Sequence, residues 1–331
     1  MGSSASATTA PSAEFTALFR AQAGAAGSLT FAQFMELALY HPAVGYYRRP
    51  QRRVGYGDGT DFFTASTSGP VFGELVAAAI THLLAGSDPH DFTFVEIGAE
   101  PDRSVLTGVT HPFAGVRTVR VGEPFEAHGR CIVFSNELFD AQPFRRFVFR
   151  GNAWLEIGVA LRESALVLIE MPVSSPAALP GVAPEGYVID APLAAAALAN
   201  QIAAQSWTGL FVAFDYGKSW AELIQAFPQG TARAYHRHTQ SNDLLARPGE
   251  QDLTCHVCWD WVAEALSTRG FASPTVESQE AFFIHHAADY IATTTAEEAA
   301  RFSQKKLSLL QLLHPSHLGQ KFQVLSARRS G

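Results

Sequence analysis

The residues with the clearest chemical potential follow a short apolar run, Phe92–Ile97, that is typical of a buried strand. The turn after such a strand in an α/β domain normally carries glycines, because glycine lets the backbone approach a ligand closely. Gly98 and Ala99 keep that small shape, whereas Glu100 and Asp102 add two carboxylates. Two interpretations remain open: a ligand-binding turn with altered charge, or an ordinary exit from a strand.

A second polar group follows the apolar run Cys131–Ser135 and contains Asn136, Glu137 and Asp140. Ligands of open parallel sheets bind beyond the carboxyl ends of the strands, so these side chains are expected at a ligand crevice. An amide and two carboxylates can accept hydrogen bonds from an amine or a guanidinium and can hold its charge in place. The alternative is that Asn136 caps the next turn and Asp140 bonds only local backbone.

The elements that must position these groups form a pattern in which strands alternate with helices from residue 91 onward. Continuous apolar runs predict a parallel sheet covered on both faces, with strands at Phe92–Ile97, Val116–Val121, Cys131–Ser135 and Leu210–Asp215. The last of these strands runs into Asp215-Tyr216-Gly217. This tripeptide either adds polar groups to the ligand face of the sheet or is only a strand end followed by a tight glycine turn. The sequence therefore predicts that Gly98, Asn136 and Asp215 share one sheet edge.

Three further runs predict an antiparallel β excursion from this sheet. They are Arg145–Arg150, Ala153–Val159 and Ala165–Glu170, and Gly151-Asn152 is a hairpin signal between the first two. A proline-rich loop follows at 171–186, and an alanine-rich helix is predicted at Leu193–Gln205.

The ends of the chain predict mostly helix. Thr30 with Gln33 resembles a capping box, and Pro70 favours the start of a helix that reaches Leu84. Near the C-terminus we expect a helix at Ala296–Leu313, Pro315 as a breaker, and a final strand at Lys321–Ala327. The resulting layout is a disordered tail at 1–13, a helical segment at 14–90, and an α/β core at 91–331 with insertions at about 144–190 and 230–258.

Composition excludes several classes of function. The 331 residues carry a net charge of −7, so nucleic acid is not an expected partner. No apolar run is long enough for a membrane span, and no secretory signal is present, so a cytoplasmic protein is expected.

Three cysteines do not make a disulfide scaffold. Cys255 and Cys258 form one C-x-x-C pair, which indicates either a metal or redox role or two small apolar side chains.

Several motifs together carry a family resemblance that spans about residues 28–327. They are Phe34–Pro42 with Gly45–Tyr47, Asp61–Thr64 leading to Phe72–Glu74, Val95–Gly98, Asn136–Ala141, Asp215–Gly217 and Pro248–Thr254. The chain resembles the MidA family of class I S-adenosylmethionine (SAM)-dependent methyltransferases, whose mitochondrial members serve complex I assembly. The resemblance implies an α/β, Rossmann-like methyltransferase core with an N-terminal helical segment and an inserted antiparallel β region.

The resemblance also implies site residues and an activity, namely methyl transfer to a protein arginine. Its implied catalytic residues are Asn136, Glu137 and Asp140. Its implied SAM-binding residues are Asp61, Thr64, Glu96, Gly98, Ala99 and Glu123, and no metal is implied. A protein substrate or protein partner is expected, and the sequence leaves the oligomeric state open.

The chain departs from the family where SAM would bind. Glu100 and Asp102 replace a glycine-rich turn, Thr67 stands where the family has glutamate, and Cys258 replaces an aspartate. Only 37 residues separate Gly98 from Asn136, so part of the second strand and its helix is expected to be missing, and Glu123 is the nearby substitute for the ribose-binding acid. These departures predict weak SAM binding. The alternatives are therefore an active enzyme, an inactive homologue that binds or assembles proteins, and a protein that binds another small ligand.

Overall fold

The computed structural model describes residues 10–49, 69–100, 103–173, 178–300 and 303–331. Their helices are α1 Ala13–Ala23, α2 Phe31–Tyr40, α3 Pro70–Leu83, α4 Leu193–Ala203, α5 Trp220–Ala226, α6 Trp259–Ser267, α7 Gln279–His286, α8 Ala288–Glu297 and α9 Gln304–Leu313. The strands are β1 Ser28–Thr30, β2 Thr93–Ile97, β3 Gly115–Val119, β4 Gly129–Asn136, β5 Arg145–Arg150, β6 Ala153–Arg162, β7 Ala165–Met171, β8 Val188–Ala191, β9 Trp207–Asp215, β10 Gly217–Lys218, β11 Arg233–His236, β12 Thr239–Ser241, β13 Asp252–Thr254, β14 Val257–Cys258, β15 Ala272–Ser278 and β16 Gln323–Arg329.

The described residues cluster into two compact units. The first unit takes residues from Met1–Gln51, Ala141–Ala195 and Lys218–Cys258, and the second from Arg52–Asp140, Ala196–Gly217 and Trp259–Gly331. The segment predicted as one helical stretch at 14–90 is divided between them, because α1 and α2 belong to the first unit and α3 to the second. Helix α1 already begins at Ala13, after the Ser12 side chain accepts a hydrogen bond from the Phe15 N–H.

A six-stranded sheet of order β15-β16-β9-β4-β2-β3 forms the second unit. Strands β3, β2, β4 and β9 are parallel, whereas β16 runs antiparallel to both of its neighbours. Ile97 pairs with both Val119 and Ser135, and Ser135 pairs with Ala213. Gly98, Asn136 and Asp215 therefore lie at the same edge of the sheet, and this prediction is confirmed.

The general alternation of strands with helices does not hold between β2 and β4, which agrees with the expectation from the short spacing that part of the second strand and its helix is missing. In the part of the chain that is described, no helix lies between Ile97 and Gly115 or between Val119 and Gly129. Parallel strands are usually joined through a helix, so both connections are unusual for a doubly wound sheet. Strand β3 also ends at Val119 rather than Val121, because Gly122 has a φ of +87° within a turn that follows Arg120.

Helix α3 covers one face of this sheet, and its bounds agree with the predicted helix Pro70–Leu84. The apolar core beneath it is rich in phenylalanine, and Phe72 contacts Phe214 edge-on with ring centroids 5.5 Å apart. Phe94 and Phe134 extend the same core, and all four rings are fully buried. The burial of so much apolar surface is the main stabilising contribution to this unit.

A five-stranded antiparallel sheet dominates the first unit and contains β1, β5, β6, β7 and β8. Strands β5 and β6 form the predicted hairpin, with φ values of +54° at Gly151 and +64° at Asn152 that suit a two-residue turn. Helix α2 begins at the predicted capping box, because the Thr30 hydroxyl accepts from the Gln33 N–H while Gln33 Oε1 accepts from the Thr30 N–H. The first unit also contains a three-stranded sheet of order β12-β11-β13.

The C-terminal helix prediction is wrong in its bounds. Instead of one helix at Ala296–Leu313, α8 ends at Glu297 and α9 begins at Gln304. Ser303 starts the later helix because its hydroxyl accepts from the Lys306 N–H at 3.2 Å. None of the helices in the described part of the chain is long and apolar enough to cross a membrane.

Candidate functional site

Gly98 ends β2 at the sheet edge and requires the conformational freedom of glycine. Its φ is +78°, and its N–H donates to the Val119 carbonyl at 2.9 Å. A Cβ at this position would lie 3.0 Å from Leu138 Cδ1. Because an L side chain is strained at this φ, the glycine allows β2 to end directly against the turn that follows β4.

Glu96, a predicted SAM-binding residue, is buried and holds the connection that follows its own strand. Its Oε2 accepts from Ser104 Oγ at 2.6 Å and from the Val105 N–H at 2.8 Å. Burial raises the pKa of Glu96, and these two hydrogen bonds lower it in part. The carboxylate oxygen Oε2 therefore has a structural role in folding the connection back onto the sheet.

The same connection packs directly against α3. A Cβ on Gly73 of α3 would overlap the Val105 carbonyl oxygen, so the absence of a side chain permits the close approach. Ser104 Oγ accepts from the Leu106 N–H at 3.2 Å, and Thr107 Oγ1 accepts from the Ser104 N–H at 2.9 Å. This part of the connection is a compact, internally bonded turn.

The remaining predicted SAM-binding residues differ in their surroundings, and some of them lie outside the described residues. Ala99 is buried at the sheet edge, and Glu100 is partly buried with its Oε2 enclosed by protein. Glu123 Oε2 accepts from the Arg120 N–H at 2.8 Å, so this carboxylate closes its own turn. Asp61, Thr64 and Asp102 lie outside the described residues.

The turn after β4 carries the three predicted catalytic residues. Asn136 Nδ2 donates to Glu137 Oε1 at 3.1 Å, and Glu137 has a φ of +53°. The Glu137 N–H donates to the Phe214 carbonyl, and Asp140 is buried. The structure thus brings Asn136, Glu137 and Asp140 together in one tight turn at the carboxyl edge of the sheet.

Asp215 organises this turn and is a site residue that the sequence did not assign. Its Oδ2 accepts from the Phe139 N–H at 2.8 Å and the Asp140 N–H at 3.2 Å, while Oδ1 accepts from the Tyr216 N–H. Complete burial raises the pKa of Asp215 to about 7, although these amides act to lower it. The available signal was a carboxylate at the end of an apolar strand that shares an edge with Asn136.

A second polar cluster, in the first unit, joins motifs that the sequence treated only as family markers. Tyr47 Oη donates to Asp252 Oδ1 at 2.8 Å, and the rings of Tyr40 and Tyr47 stack with centroids 5.5 Å apart. Gly249 has a φ of +78°, and a Cβ there would overlap the Val44 carbonyl oxygen. The motifs Gly45–Tyr47 and Pro248–Thr254 are therefore matched surfaces of one local structure.

The cysteine pair has a buried setting. Cys131, Cys255 and Cys258 are all buried and none forms a disulfide. Among the described residues, no group of three or more histidine, cysteine, aspartate or glutamate side chains is arranged to hold a metal ion.

A cavity of about 830 Å³ lies in the second unit beside α3. Lys305 Nζ lies 3.0 Å from Glu74 Oε2 on its wall, and the Nδ1 atoms of His82 and His286 lie 3.1 Å apart. The residues that line this cavity include none of the predicted site residues.

Four parallel strands that end in polar turns at one edge, followed by an antiparallel strand, define a Rossmann-like fold with its candidate site at that edge. Residues 116–276 of the chain match the model of the family described as "putative S-adenosyl-L-methionine-dependent methyltransferase".

The chain is also similar to individual known proteins. The chain is 22% identical to the mitochondrial protein arginine methyltransferase NDUFAF7 of Mus musculus, over 89% of this chain and 80% of that protein. It is also 22% identical to the Caenorhabditis elegans homolog, over 73% and 69% of the two chains. A "likely methyl transferase" from Burkholderia thailandensis, solved with S-adenosyl-homocysteine, superposes with a TM-score of 0.82 at 24% identity, covering 96% of this chain and 92% of that one.

Proposed function

We propose that this chain keeps the methyltransferase fold, binds SAM weakly or not at all, and works by binding a protein partner. The observation that carries the proposal is the connection between β2 and β3. Its described part contains no helix, and the Glu96 carboxylate folds it onto the sheet through Ser104 and Val105. A turn that leads into a helix offers free amides to a ligand, whereas the N–H groups of Ser104 and Val105 are bonded within this connection or to the strand before it.

The charge of the turn supports the same conclusion. SAM carries a carboxylate as well as a sulfonium, and Glu100 adds a partly buried carboxyl group to the turn. Like charges at about 4 Å cost ~4 kcal/mol at an effective dielectric constant near 20. Loss of a hydrogen bond from the ribose to a charged acceptor adds ~1.5–3 kcal/mol, since Glu123 already bonds its own turn. The sum corresponds to about a thousandfold or more in affinity.

Calorimetric titration of the full chain with SAM and with S-adenosyl-homocysteine tests the proposal. We expect a dissociation constant for SAM well above about 10 μM, which is roughly −6.8 kcal/mol. Circular dichroism of the same sample verifies that the protein is folded. A SAM dissociation constant at or below about 10 μM would contradict the proposal and favour an active enzyme.

A second candidate function is methyl transfer to a protein arginine, as in the names of the NDUFAF7 relatives. The turn after β4 supports it, because Glu137 and Asp140 place carboxyl groups where a guanidinium could be held. Transfer of a labelled methyl group from SAM to an arginine-rich protein measures this activity. If the activity exists, Glu137→Gln should reduce kcat at least tenfold and the exposed control Asp289→Asn should not. No labelled arginine with wild-type protein would exclude this candidate under those conditions.

We also propose a reducing compartment for this protein. The three cysteines are buried and form no disulfide, as expected where disulfides do not persist. Fractionation of the native cell with an antibody to the chain measures its location, and recovery from an oxidising compartment would contradict the proposal.

A further inference from the structure

Strand β7, Ala165–Met171, forms an edge of the five-stranded antiparallel sheet in the first unit. In the described part of the chain it pairs only with β6. Its sequence is Ala-Leu-Val-Leu-Ile-Glu-Met, and Leu168 at its centre is 49% exposed. The strand has no proline, no lysine and no register shift, which are the usual protections of an edge strand against pairing with another chain.

The hairpin geometry fixes which backbone groups face the open edge. Glu163 and Ser164 form the two-residue turn between β6 and β7, so Arg162 and Ala165 are the first hydrogen-bonded pair. Antiparallel pairs alternate between hydrogen-bonded and non-hydrogen-bonded. The N–H and C=O groups of Leu166, Leu168 and Glu170 therefore point away from β6. None of these groups bonds any turn or loop backbone among the residues described.

We propose that β7 pairs with β7 of a second copy of this chain, antiparallel, about a two-fold axis through Leu168. In this register Leu168 faces Leu168 of the second copy, and Leu166 faces its Glu170. All three outward residues of each copy then meet outward residues, which completes their backbone hydrogen bonds. A shift by one residue would bring inward-facing groups to the edge and lose these bonds. The two five-stranded sheets would become one continuous sheet.

The charge of β7 allows a second copy in this register, and the exposed centre of the strand is self-complementary about the two-fold axis. Glu170 is the one charged residue of β7, and Arg150 Nε lies 3.0 Å from its Oε1. In the proposed register the two Glu170 residues are four positions apart along the strands, about 13–14 Å. That separation exceeds the Debye length of about 8 Å at physiological ionic strength, so their repulsion is screened. The exposed part of Leu168 is covered by its own counterpart.

A cysteine placed at the two-fold axis tests the register. Directly opposed residues of a hydrogen-bonded pair have Cα atoms about 5.5 Å apart, which is within the range of disulfides. Leu168→Cys should give a covalent dimer under mild oxidation that a reductant reverses. Glu170→Cys is the matched control, because its two copies would lie too far apart to join. The native cysteines are buried. Equal cross-linking of both variants, or none with Leu168→Cys, would overturn the proposal.

A charge on the edge tests the interface without any cross-link. We expect light scattering to give a dimeric mass for the wild-type chain at micromolar concentrations. Leu168→Lys should raise the dimer dissociation constant by about tenfold or more, with an unchanged melting temperature. The control Leu310→Lys alters a leucine on α9 that is 53% exposed and should leave the dimer intact.

A monomeric wild-type chain would overturn the proposal, even if β7 pairs with a strand of a different protein. A dimer whose dissociation constant is unchanged by Leu168→Lys would overturn it as well. The measurements use no SAM, so their outcome is independent of the proposed function.

Discussion

At the scale of single residues, Asp215 explains how a polar turn is held at the edge of an apolar sheet. Its carboxyl group is completely buried and accepts from backbone amides of Phe139, Asp140 and Tyr216. These bonds satisfy amides that would otherwise be unpaired just after β4 and β9. The residues with chemical potential in this turn thus depend on one that is enclosed beneath them.

The raised pKa of Asp215 predicts a specific pH dependence of stability. The folded-state pKa of about 7 exceeds the unfolded value of 3.8, so the folded chain binds the extra proton between these pH values. Its stabilising effect is complete below about pH 4 and is lost as the pH rises through 7. The difference in free energy of unfolding between wild type and Asp215→Asn should therefore be about 2–3 kcal/mol larger at pH 5 than at pH 8.

Urea unfolding at both pH values measures this difference. Asp289→Asn, at an exposed aspartate, is the control substitution. Parallel pH profiles of wild type and Asp215→Asn would contradict the prediction.

At the scale of elements, α3 packs directly against the connection that follows β2. Gly73 lets α3 approach Val105, while Glu96 holds the same segment from the sheet side. Without a helix in its described part, the connection relies on these contacts and on the apolar side chains Leu106 and Val109, which join the core under α3. The element that would ordinarily present amides to a ligand is here part of the core.

This packing predicts a large effect for one methyl group. Gly73→Ala should lower the free energy of unfolding by about 1–3 kcal/mol, because the added Cβ overlaps backbone rather than a movable side chain. Gly115→Ala is the matched control, since a Cβ there meets nothing within 4 Å. Chemical denaturation of the three proteins measures both values. A Gly73→Ala variant as stable as Gly115→Ala would mean that α3 shifts freely over the connection.

At the scale of the whole molecule, the chain builds two compact units from interleaved segments. The antiparallel sheet of the first unit comes largely from the segment Ala141–Ala195, and the parallel sheet of the second contains the candidate site. The match of residues 116–276 to a methyltransferase family model and the fold likeness to a protein solved with S-adenosyl-homocysteine say what the chain is similar to. Activity depends on the site itself, which combines polar turns at one sheet edge with a connection after β2 whose described part contains no helix.

Restoring glycine in the first turn is expected to recover SAM affinity only in part. The double variant Glu100→Gly and Asp102→Gly removes two carboxylates, and we expect about a tenfold lower SAM dissociation constant by calorimetry. It does not supply a helix, and it leaves Glu123 bonded to its own turn. Glu163→Gly, a carboxylate-to-glycine change in the β6–β7 turn, should leave affinity unchanged. If the double variant gains no affinity, the carboxylates are not what prevents SAM binding. If its SAM dissociation constant falls to about 1 μM, the conformation of the connection after β2 is not what prevents SAM binding.

The sequence alone determined the features that depend on near neighbours in the chain. The parallel strands, the hairpin at Gly151-Asn152, the capping box at Thr30 and the shared edge of Gly98, Asn136 and Asp215 follow from apolar runs and turn chemistry. Only the tertiary structure decided how Glu96, Glu123 and Asp215 use their carboxylates, where α8 ends and α9 begins, and how α1 and α2 separate from α3. The physical reason is distance along the chain: strand and turn preferences act over a few residues, whereas the partner of a buried carboxylate and the unit in which a helix packs are fixed by contacts between distant segments.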